Sequence, residues 1–391
     1  MLAPMLQESV IRHLYVHVPF CARKCAYCAF YSEASDGVLV NRYVDALIGE
    51  MELVAADLKP ETVFFGGGTP SLLNLRQWER ILGAMERLGL LGAAEWTVEC
   101  NPATVSPDKA KLMRDWGANR VSMGAQSFDP GLLERLGRVH SREMIFKSFD
   151  TLRRAGFDNL NVDLMFAIPG QGLETWRRTL AEALALGSEH LSCYEVIYEE
   201  DTPLFEQWRA GAARVDEDLA CAMYEELLGA AAAGGFRQYE VANFARHLSA
   251  VPAEVPDRAC RHNMNCWRGG SFYGLGPSAA GYVRGVRTGN RANTAQYCEQ
   301  LEKGRRAIEW SEELPPLARA GEIAAFGLRM TAGWPLAQFE QRTGFDLRRE
   351  WRSEIERLIK LGYGQLSDQR FQLTGRGLRF ADWAGAEFLR S

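Results

Sequence analysis

The sequence lacks the features that mark membrane-spanning and nucleic-acid-binding proteins. No apolar run reaches the ~18 residues that a membrane-spanning helix needs, and the first residues, MLAPMLQESVIRHLYVHV, show no basic segment followed by an unbroken apolar run. Lys and Arg number 45 against 50 Asp and Glu, a net charge of −5, with no long basic run. The sequence therefore predicts a cytoplasmic globular protein with no transmembrane segment and no nucleic-acid partner.

Cysteine is scarce, and its placement is uneven. Nine cysteines occur in 391 residues, an odd number, so a framework of structural disulfides is not expected in a reducing cytosol. Six are scattered, at positions 100, 193, 221, 260, 266 and 298, and all but Cys266 are interpreted as small buried apolar residues. The other three, Cys21, Cys25 and Cys28, lie within eight positions in the run CARKCAYC.

From about Arg12 to Tyr198, apolar β-branched runs alternate with helix-patterned runs. The predicted strands are HLYVHV, TVFF, EWTVEC, NRVSMGA, NLNVDLMF and HLSCYEVIY. Repeated βα units imply a parallel sheet. Six strands are too few for an eight-stranded barrel, so the predicted fold class is α/β with an open, partial (β/α)6 barrel.

The pattern changes after residue 204. DEDLACAMYEELLGAAAAG predicts a helix and RQYEVANF a strand, and a loop-rich stretch is expected from about 246 to 295. From about Leu317 the order helix, short hairpin, helix suggests a winged-helix-like module. We therefore predict a barrel domain at 1–204 and a smaller α+β region at 205–391.

The three clustered cysteines follow the first predicted strand, where the sites of parallel α/β folds lie. A structural zinc ion needs four protein ligands, whereas an iron–sulfur cluster can be held by three cysteines with one iron left open. His17 is the candidate fourth zinc ligand, but it lies within a strand pattern and is interpreted as structural. The missing fourth ligand favours the cluster.

Polar residues recur at the ends of the later strands. The third strand ends at Glu99, the fourth leads to Gln126 with Arg138 just beyond it, and the fifth carries Asp163. Buried charges are costly unless they are paired or bind a ligand, so we expect these four side chains to form one polar site. The second strand leads into FFGGGTP, whose glycines let backbone groups approach a ligand closely.

One further glycine pattern is set aside. GLGPSA, residues 274–279, fits the dinucleotide fingerprint formally, but it contains Pro277 and opens no long helix. It is interpreted as a turn, so a nicotinamide-dependent enzyme is a poorly supported function and ranks behind the alternatives given below.

These motifs together resemble the radical S-adenosylmethionine (SAM) family. CARKCAYC matches its Cys-x3-Cys-x2-Cys signature, and GGGTP matches its glycine motif. YVHVPFC, RVSMGAQSF, GRVH and VDLMFAIPGQ are similar to the branch that contains the oxygen-independent coproporphyrinogen III oxidase HemN and the heme chaperone HemW. The resemblance covers nearly the whole chain.

The resemblance implies two cofactors in the barrel. Cys21, Cys25 and Cys28 would hold a [4Fe-4S] cluster, and the amino and carboxylate groups of SAM would take the open iron position. The implied SAM pocket consists of Tyr15, Tyr27, Gly67, Gly68, Thr69, Glu99, Gln126, Arg138 and Asp163, with a contribution from Ile197.

Two departures separate this chain from the oxidase within that branch. Phe30 stands where the oxidase carries a further cysteine, and only 14 residues precede Tyr15 where the oxidase has a substantial extension. Both features favour the heme chaperone, which delivers heme to membrane-associated respiratory proteins and so implies peripheral membrane contact through partners. The alternatives are an oxidase of porphyrin biosynthesis, with SAM cleaved to a radical, and a zinc-stabilised interaction protein.

The chaperone motif His-Asn-x-x-Tyr-Trp is present as HNMNCW, with Cys266 in place of the tyrosine. Heme iron takes a histidine, thiolate or tyrosine ligand, and this segment offers His262 and Cys266. In a loop-rich stretch a histidine is not needed to fill a core; the alternative is that this lone histidine beside Asn263 simply hydrogen-bonds a loop. We therefore predict heme as a third ligand, bound through these two residues.

Overall fold

The computed structural model describes residues 9–34, 36–214 and 216–390. Residues 1–8 lie outside this range, and part of the prediction about the first residues of the chain rests on them. Strands and helices alternate in the first half, as the sequence predicts. They are β1 (Ile11–Val18), β2 (Phe20–Cys21), β3 (Glu33–Ala34), α1 (Gly37–Val54), β4 (Leu58–Gly67), α2 (Leu75–Arg87), β5 (Glu95–Cys100), α3 (Pro107–Asp115), β6 (Arg120–Gln126), α4 (Pro130–Arg135), α5 (Arg142–Arg154), β7 (Leu160–Phe166), α6 (Leu173–Ala185) and β8 (His190–Glu195).

The second half contains shorter elements. They are α7 (Pro203–Arg209), α8 (Glu217–Ala233), β9 (Phe236–Glu240), β10 (Asn243–Arg246), α9 (Arg261–Trp267), β11 (Tyr273–Leu275), β12 (Ala280–Val283), β13 (Val286–Asn290), α10 (Thr294–Glu302), β14 (Ile308–Glu313), α11 (Pro316–Gly327), β15 (Trp334–Pro335), α12 (Leu336–Thr343), α13 (Leu347–Glu350), α14 (Arg352–Lys360), β16 (Gly364–Leu366), β17 (Arg370–Leu373), α15 (Gly375–Leu378) and α16 (Ala381–Ala386). No helix in the described part of the chain is long and apolar enough to cross a membrane.

The six predicted strands form the centre of a larger sheet. Its order is β11-β1-β4-β5-β6-β7-β8-β10-β9, and the six central strands are parallel, as expected. β11 extends one edge in parallel, whereas β10 and β9 extend the other edge antiparallel. Strands from beyond residue 204 thus complete the sheet of the barrel, and the boundary at that residue remains a prediction.

The two faces of this sheet differ in chemistry because residues alternate along each strand. Apolar side chains such as Phe65, Trp96 and Val162 belong to one large buried core with side chains of α1, α2, α5 and α6. Local capping fixes where the helices begin: Asn74 and Gln77 form a capping box at α2, and Ser106 accepts from the Lys109 N–H at α3. The other face carries most of the polar residues described below.

The stretch from 246 to 295 is not the loop-rich region that the sequence predicts. It contains α9 and three strands, and RQYEVANF is two strands rather than one. GLGPSA ends β11 with its first two residues and then forms the predicted turn before β12, with Gly276 at φ +98°. A Cβ at Gly276 would lie 2.3 Å from the His17 carbonyl oxygen, so this turn packs directly against β1.

The C-terminal elements have a core of their own, built from Trp334, Phe339, Trp351, Phe371 and Phe388. The sheet β15-β17-β16 is antiparallel and packs with α11 to α16 around this core. The winged-helix-like character of the module remains a prediction.

Candidate functional site

The three clustered cysteines lie on one loop at the C-terminal end of β1. Cys21 ends β2, and Cys25 and Cys28 follow in irregular backbone; all three are half-buried free thiols. Burial raises the pKa of the Cys28 thiol, and the charges of Cys25 and Cys21 add to this effect, so the thiols are close neighbours. In the described residues, no three His, Cys, Asp or Glu side chains are grouped so as to hold a single metal ion.

Backbone hydrogen bonds hold this cysteine loop from two sides. The Ala26 N–H donates to the Leu136 carbonyl at 3.0 Å, and the Leu204 N–H donates to the Ala26 carbonyl at 2.9 Å. The first bond comes from the segment after α4 and the second from the start of α7. Elements that follow the fourth and sixth parallel strands therefore fix the position of the loop.

The glycine segment after β4 supports the cysteine loop. Gly68 N–H donates to the Val18 carbonyl and Thr69 N–H to the Phe20 carbonyl, both at 2.8 Å. Gly67 N–H donates to Glu99 at 3.2 Å. Protein acceptors thus already bind the N–H groups of Gly67 and Gly68, and the expectation that these glycines offer backbone groups to a ligand stays a prediction. A Cβ at Gly68 would lie 2.7 Å from the Phe20 carbonyl oxygen, which explains the glycine sterically.

Glu99 and Asp163 face one another across the polar side of the sheet. Burial raises the pKa of Glu99 to about 8, and the charge of Asp163 contributes to this shift. Burial also raises the pKa of Asp163, against hydrogen bonds from Asn161 at 2.7 Å and Ser122 at 3.1 Å. Burial is the largest cause of both shifts and the charge of the buried Arg120 opposes them; a positively charged ligand would likewise favour the ionised carboxylates.

Gln126 and Arg138 converge on the end of β6. A Cβ built on Gly124 would lie 3.0 Å from Gln126 Nε2 and 3.2 Å from Arg138 Nη2. Gln126 has a φ of +65°, which a residue with a side chain rarely adopts, so its backbone is held in a strained conformation. The Arg138 Nε is buried and has no hydrogen-bond partner among the described residues. The four predicted strand-end residues thus lie at the C-terminal end of the parallel strands, here called the mouth of the sheet.

The remaining predicted pocket residues surround this mouth. The Tyr15 hydroxyl lies 3.1 Å from His17 Nδ1, and His17 Nε2 lies 2.9 Å from the Tyr31 carbonyl oxygen. Both ring nitrogens of His17 are thus occupied, and burial lowers its pKa to about 4, which supports its interpretation as a structural residue. Tyr27 packs on an apolar cluster behind the cysteine loop, and Ile197 is exposed just after β8.

The HNMNCW segment forms most of α9, and His262 is an interior residue. Its Nδ1 lies 2.9 Å from the Thr62 hydroxyl, its ring centroid is 6.5 Å from that of Tyr15, and burial lowers its pKa to about 3. The argument that this histidine fills no core is therefore wrong. Cys266 is half-buried on the same helix, and burial raises its pKa to about 12.

Several polar residues of the inner face were missed by the sequence argument. Glu95 accepts hydrogen bonds from the N–H groups of Arg261 and His262 at 2.8 and 3.0 Å. The others line successive strands and are Thr97, Arg120, Ser122, Asn161, His190 and Ser192. The signal was available: polar residues occupy alternate positions in EWTVEC, RVSMGAQ and LNVDLMF, not only the strand ends.

Comparison with known proteins agrees with this geometry. Residues 15–183 match the model of the radical SAM superfamily, and residues 314–380 match the HemN C-terminal domain. The chain is 32% identical to the heme chaperone HemW of Lactococcus lactis, with 98% of each chain covered. It is 31% identical to HemW of Escherichia coli, covering 94% of this chain and 95% of that one.

A solved structure shows the same fold. The coproporphyrinogen III oxidase HemN of Escherichia coli, described as a radical SAM enzyme, superposes with a TM-score of 0.83 at 21% identity and covers 98% of this chain and 91% of its own. At that identity the likeness concerns the fold alone, whereas the full-length similarity to the chaperones is closer in sequence. This chain belongs to the HemW family within the radical SAM superfamily.

Proposed function

We propose that this chain is a heme chaperone that carries a [4Fe-4S] cluster and SAM in its barrel. The observation that carries the proposal is one loop with three free, half-buried thiols, in which Cys25 Sγ lies 3.4 Å from Arg138 Nη1, beside the glycine segment whose Gly67 N–H donates to Glu99. The similarity to heme chaperones over nearly the whole chain supports heme as the molecule that this chain carries.

The cysteine loop fits a cluster with three protein ligands. Its thiols carry no disulfide, and backbone hydrogen bonds through Ala26 fix the loop. Cys21, Cys25 and Cys28 would hold the cluster and leave one iron open. When bound, the cluster and SAM supply one-electron chemistry; the chain's own residues position and shield them.

The mouth of the sheet fits SAM. SAM carries a positive sulfonium and ammonium group and a negative carboxylate. Burial raises the pKa values of Glu99 and Asp163 against the opposing charge of Arg120, and a cationic ligand beside them would favour their ionised forms. The unpartnered Arg138 Nε offers a buried donor to an anionic group.

Heme binding through His262 and Cys266 is the part of the proposal that the geometry constrains most. His262 is 4% exposed and its Nδ1 is hydrogen-bonded, so ligation through this residue requires α9 to move. Respiratory proteins are the proposed recipients, with peripheral membrane contact made through them.

The deciding experiment gives anaerobically reconstituted protein two substrates in separate reactions: heme, and coproporphyrinogen III with SAM and a reductant. We expect stoichiometric heme binding and no decarboxylation. Turnover to protoporphyrinogen IX would instead establish the oxidase. Heme titrations of His262→Ala and Cys266→Ser follow, and wild-type affinity and spectrum in both variants would move the heme site elsewhere.

The cluster is tested separately by its composition. We expect the wild type to contain about four irons and four sulfides, as a [4Fe-4S] cluster requires, and Cys25→Ala to lose them. Cys221→Ala is the matched control, because Cys221 is exposed and lies on α8, outside the cysteine loop. Zinc without inorganic sulfide in the wild type would establish the zinc-stabilised alternative.

A further inference from the structure

The segment Leu136–Arg138, here called the clamp segment, contacts the cysteine loop at one place. The Leu136 carbonyl accepts the Ala26 N–H, and a Cβ on Gly137 would lie 3.3 Å from that same nitrogen. Gly137 has a φ of +71°, so the close approach and the backbone turn both favour glycine. The clamp segment therefore holds the loop beside Cys25.

Arg138 at the end of the clamp segment is fixed before any cofactor binds. Its Nη2 donates to the Gly124 carbonyl at 2.7 Å, at the end of β6, and its Nη1 lies 3.4 Å from Cys25 Sγ. Because the guanidinium is planar, the bond to Gly124 sets the direction of the Nη1–H bond toward the sulfur.

This contact distinguishes Cys25 from the other two thiols. Cys21 Sγ lies 3.6 Å from the Thr69 hydroxyl, a neutral group. Within residues 9–34, 36–214 and 216–390, neither Cys21 nor Cys28 receives a side-chain hydrogen bond from an arginine or lysine. Only one of the three sulfur atoms thus has a positively charged, pre-oriented donor in the described structure.

We propose that Arg138 is a positioning residue that raises the reduction potential of the cluster through its hydrogen bond to Cys25. Reduction adds one negative charge to the cluster and its thiolates, and a cationic N–H donor stabilises the more negative state. This inference rests on the proposed cluster, and it adds to the placement of Arg138 in the SAM pocket.

The test is an EPR-monitored redox titration of reconstituted protein without SAM, combined with iron and sulfide analysis. We expect Arg138→Gln to keep four irons and to shift the midpoint potential to a more negative value. Arg138→Lys, which keeps the charge but not the planar geometry, should shift it less. Arg135→Gln is the control, because it removes the same charge from an exposed position at the end of α4.

A second variant keeps the inference testable if Arg138→Gln loses iron. Gly124→Ala keeps the arginine but crowds its Nη2, and it should also lower the potential. If Arg138→Gln contains iron and its midpoint potential is unchanged, the inference is overturned and the proposed function stands. If Arg138→Gln contains no iron, an unchanged midpoint potential in Gly124→Ala has the same meaning. A wild type without iron and sulfide overturns the proposed function together with it.

Discussion

At the residue scale, the site is built from single polar side chains that alternate along the strands with the apolar side chains of the core. The strand-end residues Glu99, Gln126, Arg138 and Asp163 could be predicted because a charge after an apolar strand is conspicuous. Ser122 and Asn161 could not be assigned in this way, because serine and asparagine inside a strand have many structural roles. Only the alternation of polar positions marks them in the sequence, and the register adds their neighbours, with Gly124 opposite Asp163 and Ser122 opposite Asn161.

Asp163 gives the prediction at this scale. Asp163→Ala should weaken SAM binding by about 1–3 kcal/mol, the usual cost of losing one buried polar contact, and leave the iron content unchanged. Isothermal titration of the reconstituted protein with SAM measures the affinity. Asp158→Ala is the control, because the Asp158 side chain is 74% exposed and lies just before the same strand. Equal SAM affinity in the wild type and Asp163→Ala would show that the pocket has been placed wrongly.

At the element scale, the strands and helices of the barrel followed from local pattern, whereas α9 did not. The segment RHNMNCW has no apolar periodicity, and Cys260 provides no side-chain cap. Its N-terminus is capped instead by Glu95 from β5, 166 positions earlier than Arg261 in the chain. A cap supplied from so far away leaves no local signal, which is why the segment was predicted to be a loop.

This arrangement predicts that Glu95 is needed for α9. Glu95→Gln keeps the shape but weakens the acceptor for two backbone N–H groups, so the free energy of unfolding should fall by about 1–3 kcal/mol. Urea unfolding of the protein measures the change. Glu61→Gln is the matched control, because its ion pair with Arg12 is more than half exposed and exposed pairs contribute about 0–1 kcal/mol. Equal losses in the two variants would argue against the cap.

At the scale of the whole molecule, the sheet joins segments that are far apart in the chain. β11 pairs with β1, with Gly274 opposite Tyr15, and β10 pairs with β8. Such pairings could not be predicted from the sequence, because a three- or four-residue strand has no distinctive pattern. They place the chain after residue 204 against the barrel, and α9 with it, so the proposed heme motif and the SAM pocket share one interior.

The histidines buried in this interior affect the stability of the protein against acid. Burial lowers the pKa of four of the six histidines, to about 4 for His17 and His140, to about 3 for His262, and well below the ordinary value for His190. Between these values and the unfolded pKa of about 6.5, only the unfolded chain binds the protons, so their contribution to stability is complete above pH 6.5. It is lost as the pH falls toward 4. Glu99, whose pKa is raised to about 8, acts in the opposite direction, as do Asp163, Glu195 and Glu240, whose pKa values burial also raises.

We therefore expect the four imidazoles to contribute a decrease in the free energy of unfolding of the cofactor-free protein as the pH is lowered from 6.5 to 4. Urea unfolding of the wild type and of single variants at a series of pH values separates this decrease from the effect of the carboxyl groups. His140→Gln should make this decrease smaller, because the variant removes one of the four titrating groups and keeps an N–H donor for the Ala125 carbonyl. Glu99→Gln should make the decrease larger, since it removes the group that binds its proton preferentially in the folded state. An unchanged pH dependence of the unfolding free energy in His140→Gln would mean that this imidazole is not held neutral in the folded barrel.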